Sequence, residues 1–485
     1  MVNNIKLTFP FFLLLFASAI SAETFEVYAG RSLIEFDQDA GLPTRWLICE
    51  SNCSIEGIRH KQLIAPGDGE IRILSPQGPG GNFSSEIERT AKDVVVRFEA
   101  VYETRVYSIS LETGRVLLEL SPGSRVQIAT GSEFLPEKLP GIGAIYSKVQ
   151  LVRVNQQGQK IYPEDEINGS IQEISLSSDS WAGIRSRYWA WLFHSEDINM
   201  NVELGYLSSN RPFLEFIPNE VNKPLNLELY AGPVEWRDLK KVSPILNELL
   251  FAALWDFLRW ICFGMLFLFE FLFSFVGNFG ISIILLSLVV KIMMTPLTNL
   301  ADRWQSEVNK IHSFLQPQLT SIKQNYEGEE AHKRILAVYK ENNISQWYTL
   351  KSAAGFLIQI PIFIAAFDML AESFLLNGVS FFWIIDLAKP DQLLELPFYI
   401  PFFGDWFNLL PFLMTALSLL ASWLQHEDAL TPELQRQQSI KLYLMSAAFF
   451  VLFYTFPAGM VLYWTASNFF HLIKIQTLPL VRKIL

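Results

Sequence analysis

Apolar and polar residues alternate with a period of two through much of the first half of the chain. Apolar side chains at every second position from Val96 to Tyr102 alternate with Arg97 and Glu99, the pattern of a strand with one buried face. A Thr-Gly pair at 113–114 separates two further alternating segments and predicts a hairpin. Because strand and turn signals continue in this way, residues 23–243 are predicted to fold as a large β-sandwich.

From Pro244 onward the apolar residues recur every three or four positions, which predicts helices. One apolar segment, 250–277, is ambiguous because it contains Asp256, Arg259 and Glu270. Five others are long and apolar enough to be predicted as membrane spans. These five segments are 279–297, 352–374, 406–424, 441–456 and 459–478.

The distribution of basic residues decides how the ambiguous segment is placed. If 250–277 lies along the membrane surface, the outer loop 375–405 contains a single basic residue, Lys389. The loops on the other side of the membrane then hold 12 Lys and Arg residues. These loops are 300–351, 425–441 and 474–485. Basic residues are enriched in cytoplasmic loops, so 244–277 is predicted to be an interfacial amphipathic helix and 278–485 a core of five transmembrane helices.

A helical hairpin is predicted within the first cytoplasmic loop, over residues 301–343. Apolar residues from Trp304 to Ile322 recur at helical spacing, Glu327-Gly328 marks a turn, and a second stripe begins at Ala331. The stripes establish that the two helices pair. They fit a solvated structural hairpin and a docking antenna equally well.

The N-terminus indicates that residues 23–243 are exported. Lys6 precedes an uncharged segment that ends in small residues, so residues 1–22 are predicted to be a signal peptide or an N-terminal anchor. Cys49 and Cys53 lie in this exported part, where a disulfide is chemically permitted. Their spacing fits a disulfide and two free thiols equally well.

Composition then excludes several classes of protein. The chain has 485 residues, a net charge of −11 and only 18% charged residues, and 27 of its 39 Phe residues follow Pro244. An acidic chain without basic blocks argues against direct binding of nucleic acid. The six His residues lack metal-ligand spacing, and no nucleotide-binding or nucleophile motif occurs. We therefore expect that the protein is not an enzyme and has no catalytic residues, no metal and no cofactor.

Lys291 is the anomaly of the helical half, because it lies inside a predicted span. A lysine in the hydrocarbon costs about 2.5–3.5 kcal/mol on insertion scales and should face water or a partner. Asp368 is the nearest intramembrane acid by type, but it lies about 9 Å away in depth at 1.5 Å per residue. The spacing therefore favours a hydrated functional site at Lys291, and a structural ion pair or snorkelling is the alternative.

Several motifs around Lys291 resemble the YidC family of membrane protein insertases. They are YAGP at 230–233, FVGNFGISII at 275–284, MTPLT at 294–298, QIPIF at 359–363 and FPAGMVLYW at 456–464. The resemblance covers about residues 180–478 and is that of a divergent bacterial member, since Lys291 stands where the family usually has arginine. It implies a supersandwich-like exported domain, a five-helix insertase core and a hydrophilic groove open to cytoplasm and lipid.

The same resemblance implies the function and the groove residues. The expected groove residues, which would contact the substrate, are Ser287, Lys291, Gln359, Tyr463, Trp464 and Ser467. The implied protein is a multi-pass insertase and chaperone of the bacterial inner membrane, with its large domain in the periplasm. Its implied partners are nascent membrane proteins and membrane lipids, together with the Sec translocon, the signal recognition particle receptor and the ribosome.

Two other functions are compatible with this organisation. One is a lipid or small-solute transporter, although such transporters usually contain paired repeats, and none is evident here. The other is a membrane-tethered carbohydrate-binding module, for which the helices serve only as an anchor. Deleting residues 23–240 would discriminate, because an insertase core should largely survive the deletion and a tethered module should not.

Overall fold

A computed structural model describes residues 23–78, 81–167, 171–195, 200–207, 211–220, 223–345, 350–424 and 432–484. The predicted signal or anchor segment, 1–22, lies outside the described residues. The chain consists of a large sheet-rich N-terminal domain followed by a helical C-terminal region.

Eighteen strands form the N-terminal domain over the residues that the structure describes. In chain order they are β1 (Thr24–Ala29), β2 (Ser32–Asp37), β3 (Leu42–Cys49), β4 (His60–Ile64), β5 (Glu70–Leu74), β6 (Ser84–Arg89), β7 (Asp93–Glu99), β8 (Thr104–Ser110), β9 (Arg115–Ser121), β10 (Arg125–Ala129), β11 (Gln150–Asn155), β12 (Gly158–Tyr162), β13 (Gln172–Leu176), β14 (Trp181–Arg185), β15 (Trp189–His194), β16 (Met200–Tyr206), β17 (Pro212–Ile217) and β18 (Leu225–Pro233). A short helix, α1 (Glu164–Ile167), precedes β13.

The strands form three antiparallel sheets, whose strand orders are β1-β2-β3-β4, β13-β16-β17-β10-β5 and β12-β11-β14-β15-β18-β9-β8-β7-β6. The hairpin predicted around Thr113-Gly114 is confirmed as β8–β9, with Tyr107 opposite Leu118. The alternation predicted from Val96 to Tyr102 ends earlier, because β7 stops at Glu99 and Tyr102 is exposed.

Aromatic side chains from all three sheets meet in one core, as a sandwich requires. Trp46 of β3 packs edge-on against Trp191 of β15, with ring centroids 5.7 Å apart. Phe193 of β15 packs in turn on Phe216 of β17 at 5.0 Å. A disulfide joins Cys49 to Cys53 at the end of β3 and so settles the two alternatives left by their spacing.

The helices of the C-terminal region are α2 (Trp236–Val242), α3 (Asp256–Val276), α4 (Phe279–Asn325), α5 (Gly328–Glu341), α6 (Leu350–Glu372), α7 (Leu409–Leu424), α8 (Pro432–Phe453) and α9 (Ala458–Ile484). A two-stranded ribbon of β19 (Leu394–Ile400) and β20 (Gly404–Phe407) lies between α6 and α7. Among the described residues, α3 and α4 are long and apolar enough to cross a membrane, and α7 is a shorter apolar helix.

The helix boundaries differ from the predicted ones most clearly in two places, and α7 begins at Leu409 rather than at 406 while α8 covers Pro432–Phe453 rather than 441–456. Residues 250–255, predicted as part of the interfacial helix, form a turn, so that α3 begins only at Asp256. The first predicted span and the first helix of the hairpin are a single helix, α4, of 47 residues. The helix continues through the polar segment after Pro296, and a second proline inside it, Pro317, does not end it.

Two residues of the motif at 275–284 explain the break between α3 and α4. Gly277 ends α3 in the left-handed conformation, at φ 66°, which costs least for glycine. The side chain of Asn278 then caps α4 by accepting a hydrogen bond from the Ile281 amide at 3.0 Å. A side chain at Gly280 would overlap the ring of Phe381, so this glycine lets the following loop approach α4 closely.

Candidate client groove

A cavity of about 500 Å³ opens between α4, α6, α7, α8 and α9. Its lining mixes polar, basic and apolar side chains within the most apolar part of the chain. All six residues expected in the groove line it: Ser287, Lys291, Gln359, Tyr463, Trp464 and Ser467. The structure therefore brings together side chains from three helices that are up to 180 positions apart in the sequence.

Helical spacing explains why these side chains share one wall of the cavity. On α4 the lining residues include Ser287, Lys291 and Met294, which follow each other at steps of four and three. On α9 Tyr463 and Ser467 follow the same rule. Residues three and four apart lie on one face of a helix, so each helix contributes one polar stripe.

Lys291 has no ionic partner in the part of the chain that the structure describes. Its side chain is half-buried, and its ammonium group forms no hydrogen bond or ion pair with a described residue. Its backbone carbonyl accepts a hydrogen bond from Thr295 Oγ1 at 2.9 Å, which leaves the helix intact there. Asp368 does not line the cavity, in agreement with the depth difference expected from the sequence.

Ser287 lies one turn before Lys291 and is fully buried. Its hydroxyl has no hydrogen-bond partner among the described residues. A buried polar atom without a partner costs about 1–3 kcal/mol, which water or a bound polar group in the cavity would offset. The Ser287 hydroxyl is therefore available to hydrogen-bond with a ligand next to the ammonium group of Lys291.

An aromatic cluster closes one side of the cavity. The ring of Trp464 lies 5.0 Å from Phe363 and 5.8 Å from Phe449, measured between centroids. Phe453 lies 5.9 Å from the same tryptophan. Tyr463 beside it is buried. This wall is apolar and closely packed, so a peptide in the cavity would meet charge on one side and aromatic surface on the other.

Sequence reasoning missed a second basic side chain that the structure places in the same cavity. Lys474 of α9 lines it and donates to Asn299 Oδ1 at 3.1 Å, with Asp302 Oδ2 at 3.9 Å. Other missed lining residues are Thr298, Ser418, Asn468 and His471. Extending the Tyr463–Ser467 stripe by further helical steps reaches His471 and Lys474, so the spacing contained the signal.

Nothing in the described ranges suggests a resident metal. No group of three or more His, Cys, Asp or Glu side chains in the described part of the chain could hold an ion. The cavity instead presents Lys291, His471 and Lys474 against a single carboxylate, that of Asp302. Such a lining attracts an anionic or polar peptide segment.

Comparison with known proteins agrees with this geometry. Residues 271–482 match the family model described as 60Kd inner membrane protein. The helical half of the chain is similar to the YidC family. Membrane protein insertase YidC of Chlamydia trachomatis is 32% identical over 269 residues, which cover 52% of this chain and 33% of that protein.

Two further YidC relatives align over longer stretches. The insertase of Chloroherpeton thalassium is 26% identical and that of Shewanella baltica 29%, covering 65% and 63% of this chain and 57% and 53% of those proteins. The chain spans only about a third of the length of the Chlamydia trachomatis relative.

Solved YidC structures also match. An active YidC insertase covers 93% of this chain at 17% identity and a TM-score of 0.37. The periplasmic domain of Thermotoga maritima YidC covers 48% at 11% identity and a TM-score of 0.29. The similarity to the YidC family therefore rests on the sequence matches.

Proposed function

We propose that this protein inserts membrane proteins into the bacterial inner membrane and helps them fold, with nascent membrane proteins as its clients. The observation that carries this proposal is Lys291, a cation without a partner among the described residues, in a polar cavity that aromatic side chains close on one side. A structural lysine at this depth would be expected to have an acidic partner. A free one is suited to a transient anionic ligand.

The cavity supports a mechanism that needs no nucleotide or cofactor. The positive side chains attract the acidic tail of a client and hold it in a hydrated cavity, which shortens the path of that tail through hydrocarbon. The apolar segment that follows then moves along the helices into lipid. Transfer of about 20 apolar residues from water supplies the driving force.

The contacts of α3 support its placement along the outer surface of the membrane. Near its start, Arg259 Nη1 binds Glu248 Oε2 at 2.7 Å. Near its end, Glu270 accepts hydrogen bonds from Trp236 at 3.2 Å and Arg237 at 2.6 Å, both in α2. Eleven residues, or about 16 Å of helix, separate the two sites. A helix that crossed the membrane would carry Glu270 far from the domain that holds it.

With α3 on the surface, α4, α6, α7, α8 and α9 are the five proposed spans. The positive-inside rule then places the hairpin of residues 301–343 in the cytoplasm and the sandwich in the periplasm. Cysteine labelling at Ser321, an exposed residue of α4, should succeed only from the cytoplasmic side. Labelling from the periplasm would invert this topology.

The remaining partners form part of the same proposal. Membrane lipids surround the spans, and the cytoplasmic hairpin would be the surface available to a ribosome or to the signal recognition particle receptor. An association with the Sec translocon follows from the family resemblance.

Photocrosslinking tests the insertase function directly. A photoreactive residue at Gln359 or Ser467 should crosslink to ribosome-bound nascent membrane proteins while their first apolar segment emerges. The matched control is Leu413, which lies on α7 and is exposed outside the cavity. Equal crosslinking at all three positions, or none in the cavity, would contradict a client groove.

The same crosslinking variants distinguish an insertase from the two alternative functions. A solute transporter would retain uptake activity without contacting nascent chains. A tethered carbohydrate-binding module would lose its function when residues 23–240 are deleted, whereas the helical core should keep most of the crosslinking at Ser467. Because Arg185 of the sandwich binds Glu372 of α6, the folding of the deletion variant must be checked alongside.

A further inference from the structure

A second cavity, also of about 500 Å³, lies between the sandwich and the loop that follows α6. Three basic side chains from separate segments line it. Lys61 belongs to β4, Arg187 to the turn between β14 and β15, and Lys389 to the loop after α6. No residue of this cavity lines the groove around Lys291. It is a separate site, on the opposite side of the helical region.

The two acidic residues in this cavity already have partners. The Glu137 carboxylate binds the ammonium group of Lys389. The Asp386 carboxylate accepts hydrogen bonds from the backbone amides of Gly378 and Ala388, both at 2.9 Å. These contacts fix both carboxylates in place. The positive charges of Lys61 and Arg187 are left without an acidic partner.

Arg187 is held in place by groups that do not neutralise it. Its Nε donates to the Ala371 carbonyl at 2.7 Å and its Nη1 to the Ala388 carbonyl at 2.8 Å. The guanidinium stacks on the rings of Tyr146 and Tyr188, at 4.8 and 4.6 Å. Its Nη2 is buried without a hydrogen-bond partner among the described residues. The cation is rigid, and its charge remains available to the cavity.

Lys61 is the basic side chain that can move to meet a ligand. It is half-buried, and its ammonium group forms no ion pair with any residue that the structure describes. Burial lowers the pKa of Lys61 from its usual value, the charge on Glu133 acts to raise it, and that on Lys389 to lower it further. An anion bound in the cavity would relieve this cost by pairing with the ammonium group.

The surroundings indicate where such an anion would come from. The loop that supplies Lys389 also carries Phe382 and Ile385, whose side chains are 83% and 68% exposed. In the topology of the proposed function, on which this step rests, these apolar side chains meet the outer leaflet. The cavity a few residues later in the same loop then lies at the level of the lipid headgroups.

We propose that this cavity binds a phosphate group, and that the physiological source is the headgroup of an anionic glycerophospholipid in the outer leaflet. A fixed guanidinium beside a mobile ammonium matches the way proteins bind phosphate, through charge-assisted hydrogen bonds. The cavity volume is that of a small-ligand site, with room for a glycerophosphate group. Free phosphate has the same chemistry and is the alternative source.

Calorimetric titration of the full-length protein in neutral detergent tests the proposal, with dihexanoylphosphatidylglycerol below its micelle concentration and inorganic phosphate as separate probes. Lys61→Gln should weaken lipid binding about tenfold, the loss of one charge-assisted hydrogen bond. Lys61→Arg should restore it. The control is Lys92→Gln, which removes one exposed charge from the same domain and should leave binding unchanged.

A second variant guards against a folding defect in Lys61→Gln. Lys389→Gln changes a partly exposed side chain and releases the Glu137 carboxylate into the cavity, so it should also weaken binding. Stronger binding of the lipid than of phosphate identifies the headgroup as the ligand, and equal binding identifies free phosphate. Binding of neither probe, or the same affinity in Lys61→Gln as in Lys92→Gln, would overturn the site. Binding is measured without clients, so its failure is distinct from failure of the insertase proposal.

Discussion

Two basic side chains at the junction between the sandwich and the helices have ionic partners, whereas Lys291 in the groove has none among the described residues. At the junction, Arg185 binds Glu372 at 3.2 Å and the Leu249 carbonyl at 2.5 Å. Arg59 binds the Glu50 carboxylate and the carbonyls of the turn that follows α6. In the groove, Lys291 has no such partner among the described residues.

This difference follows from where the carbonyl oxygens are. The end of α6 and the turn after it present backbone carbonyls without a helical partner, and arginine side chains of the sandwich bind them: Arg187 the Ala371 carbonyl and Arg59 the Phe374 carbonyl. Lys291 lies in the interior of α4, away from either end of the helix. A basic residue that pairs with a carboxylate at the junction therefore stabilises the fold. One in a helix interior that faces a cavity is left for a ligand.

The largest expected effect is on the junction. Arg185→Met should destabilise the protein by about 3 kcal/mol, because it removes the cation that pairs with the Glu372 carboxylate and the donor to the Leu249 carbonyl. Thermal unfolding in detergent measures the loss. Arg125→Met is the matched control, since its ion pair with Glu215 is exposed and should cost at most about 1 kcal/mol. If Arg185→Met and Arg125→Met lose equal stability, the junction ion pair contributes no more to the fold than an exposed one.

The second effect is on the groove, and it should be functional rather than structural. Lys291→Glu should reduce insertion of a client with an acidic tail at least about tenfold, because attraction becomes repulsion. Lys291→Arg should retain insertion and Lys291→Ala should fall between. Paired clients that differ only in tail charge provide the measurement. If Lys291→Glu inserts both clients equally and its melting temperature collapses, Lys291 is a structural residue.

A smaller effect is expected at Lys474. Its charge is shared with Asn299 and Asp302, so Lys474→Gln should reduce insertion of the acidic-tailed client only about threefold. Asp302→Asn frees Lys474 and should raise insertion of the same client. The two variants are compared in one insertion assay. A loss at Lys474 as large as that at Lys291 would mean that pairing does not determine which cation serves the client.

The smallest effect on stability concerns a partly exposed pair of the sandwich and its dependence on pH. The Ser132 hydroxyl donates to Asp68, and together with the Ser132 amide and Arg211 it holds the pKa of that carboxyl below its usual value. A lowered pKa stabilises the fold above the unfolded pKa, and this contribution disappears as the pH falls through the folded value. Asp68→Asn should cost about 1 kcal/mol at pH 7.

The measurement for Asp68 is unfolding between pH 7 and pH 2. The native protein should lose more stability than Asp68→Asn as the pH falls below about 4, where unfolded carboxyl groups become protonated. Parallel curves for the two proteins would show that Asp68 contributes no acid-labile stability. Glu70→Gln is the control, because its ion pair with Arg72 is largely exposed.

The sequence by itself determined the local structure of both halves. Alternation gave the β8–β9 hairpin, and the Gly277-Asn278 pair gave the end of α3 and the cap of α4, because these features depend on neighbouring residues. Lys291 was predicted from its position inside a span, and the full set of six groove residues came from a resemblance. Helical spacing, followed two turns beyond Ser467 along α9, would have added Lys474.

Only the tertiary structure decided which charges are paired. In the sequence, Arg185 and Lys291 are both basic residues in apolar surroundings. The partner of Arg185 is 187 positions away, on a different element. The cavity around Lys61 likewise draws on segments more than 300 positions apart. Ion pairing depends on distances of a few ångströms between such segments, and packing of the sandwich on the end of α6 sets those distances.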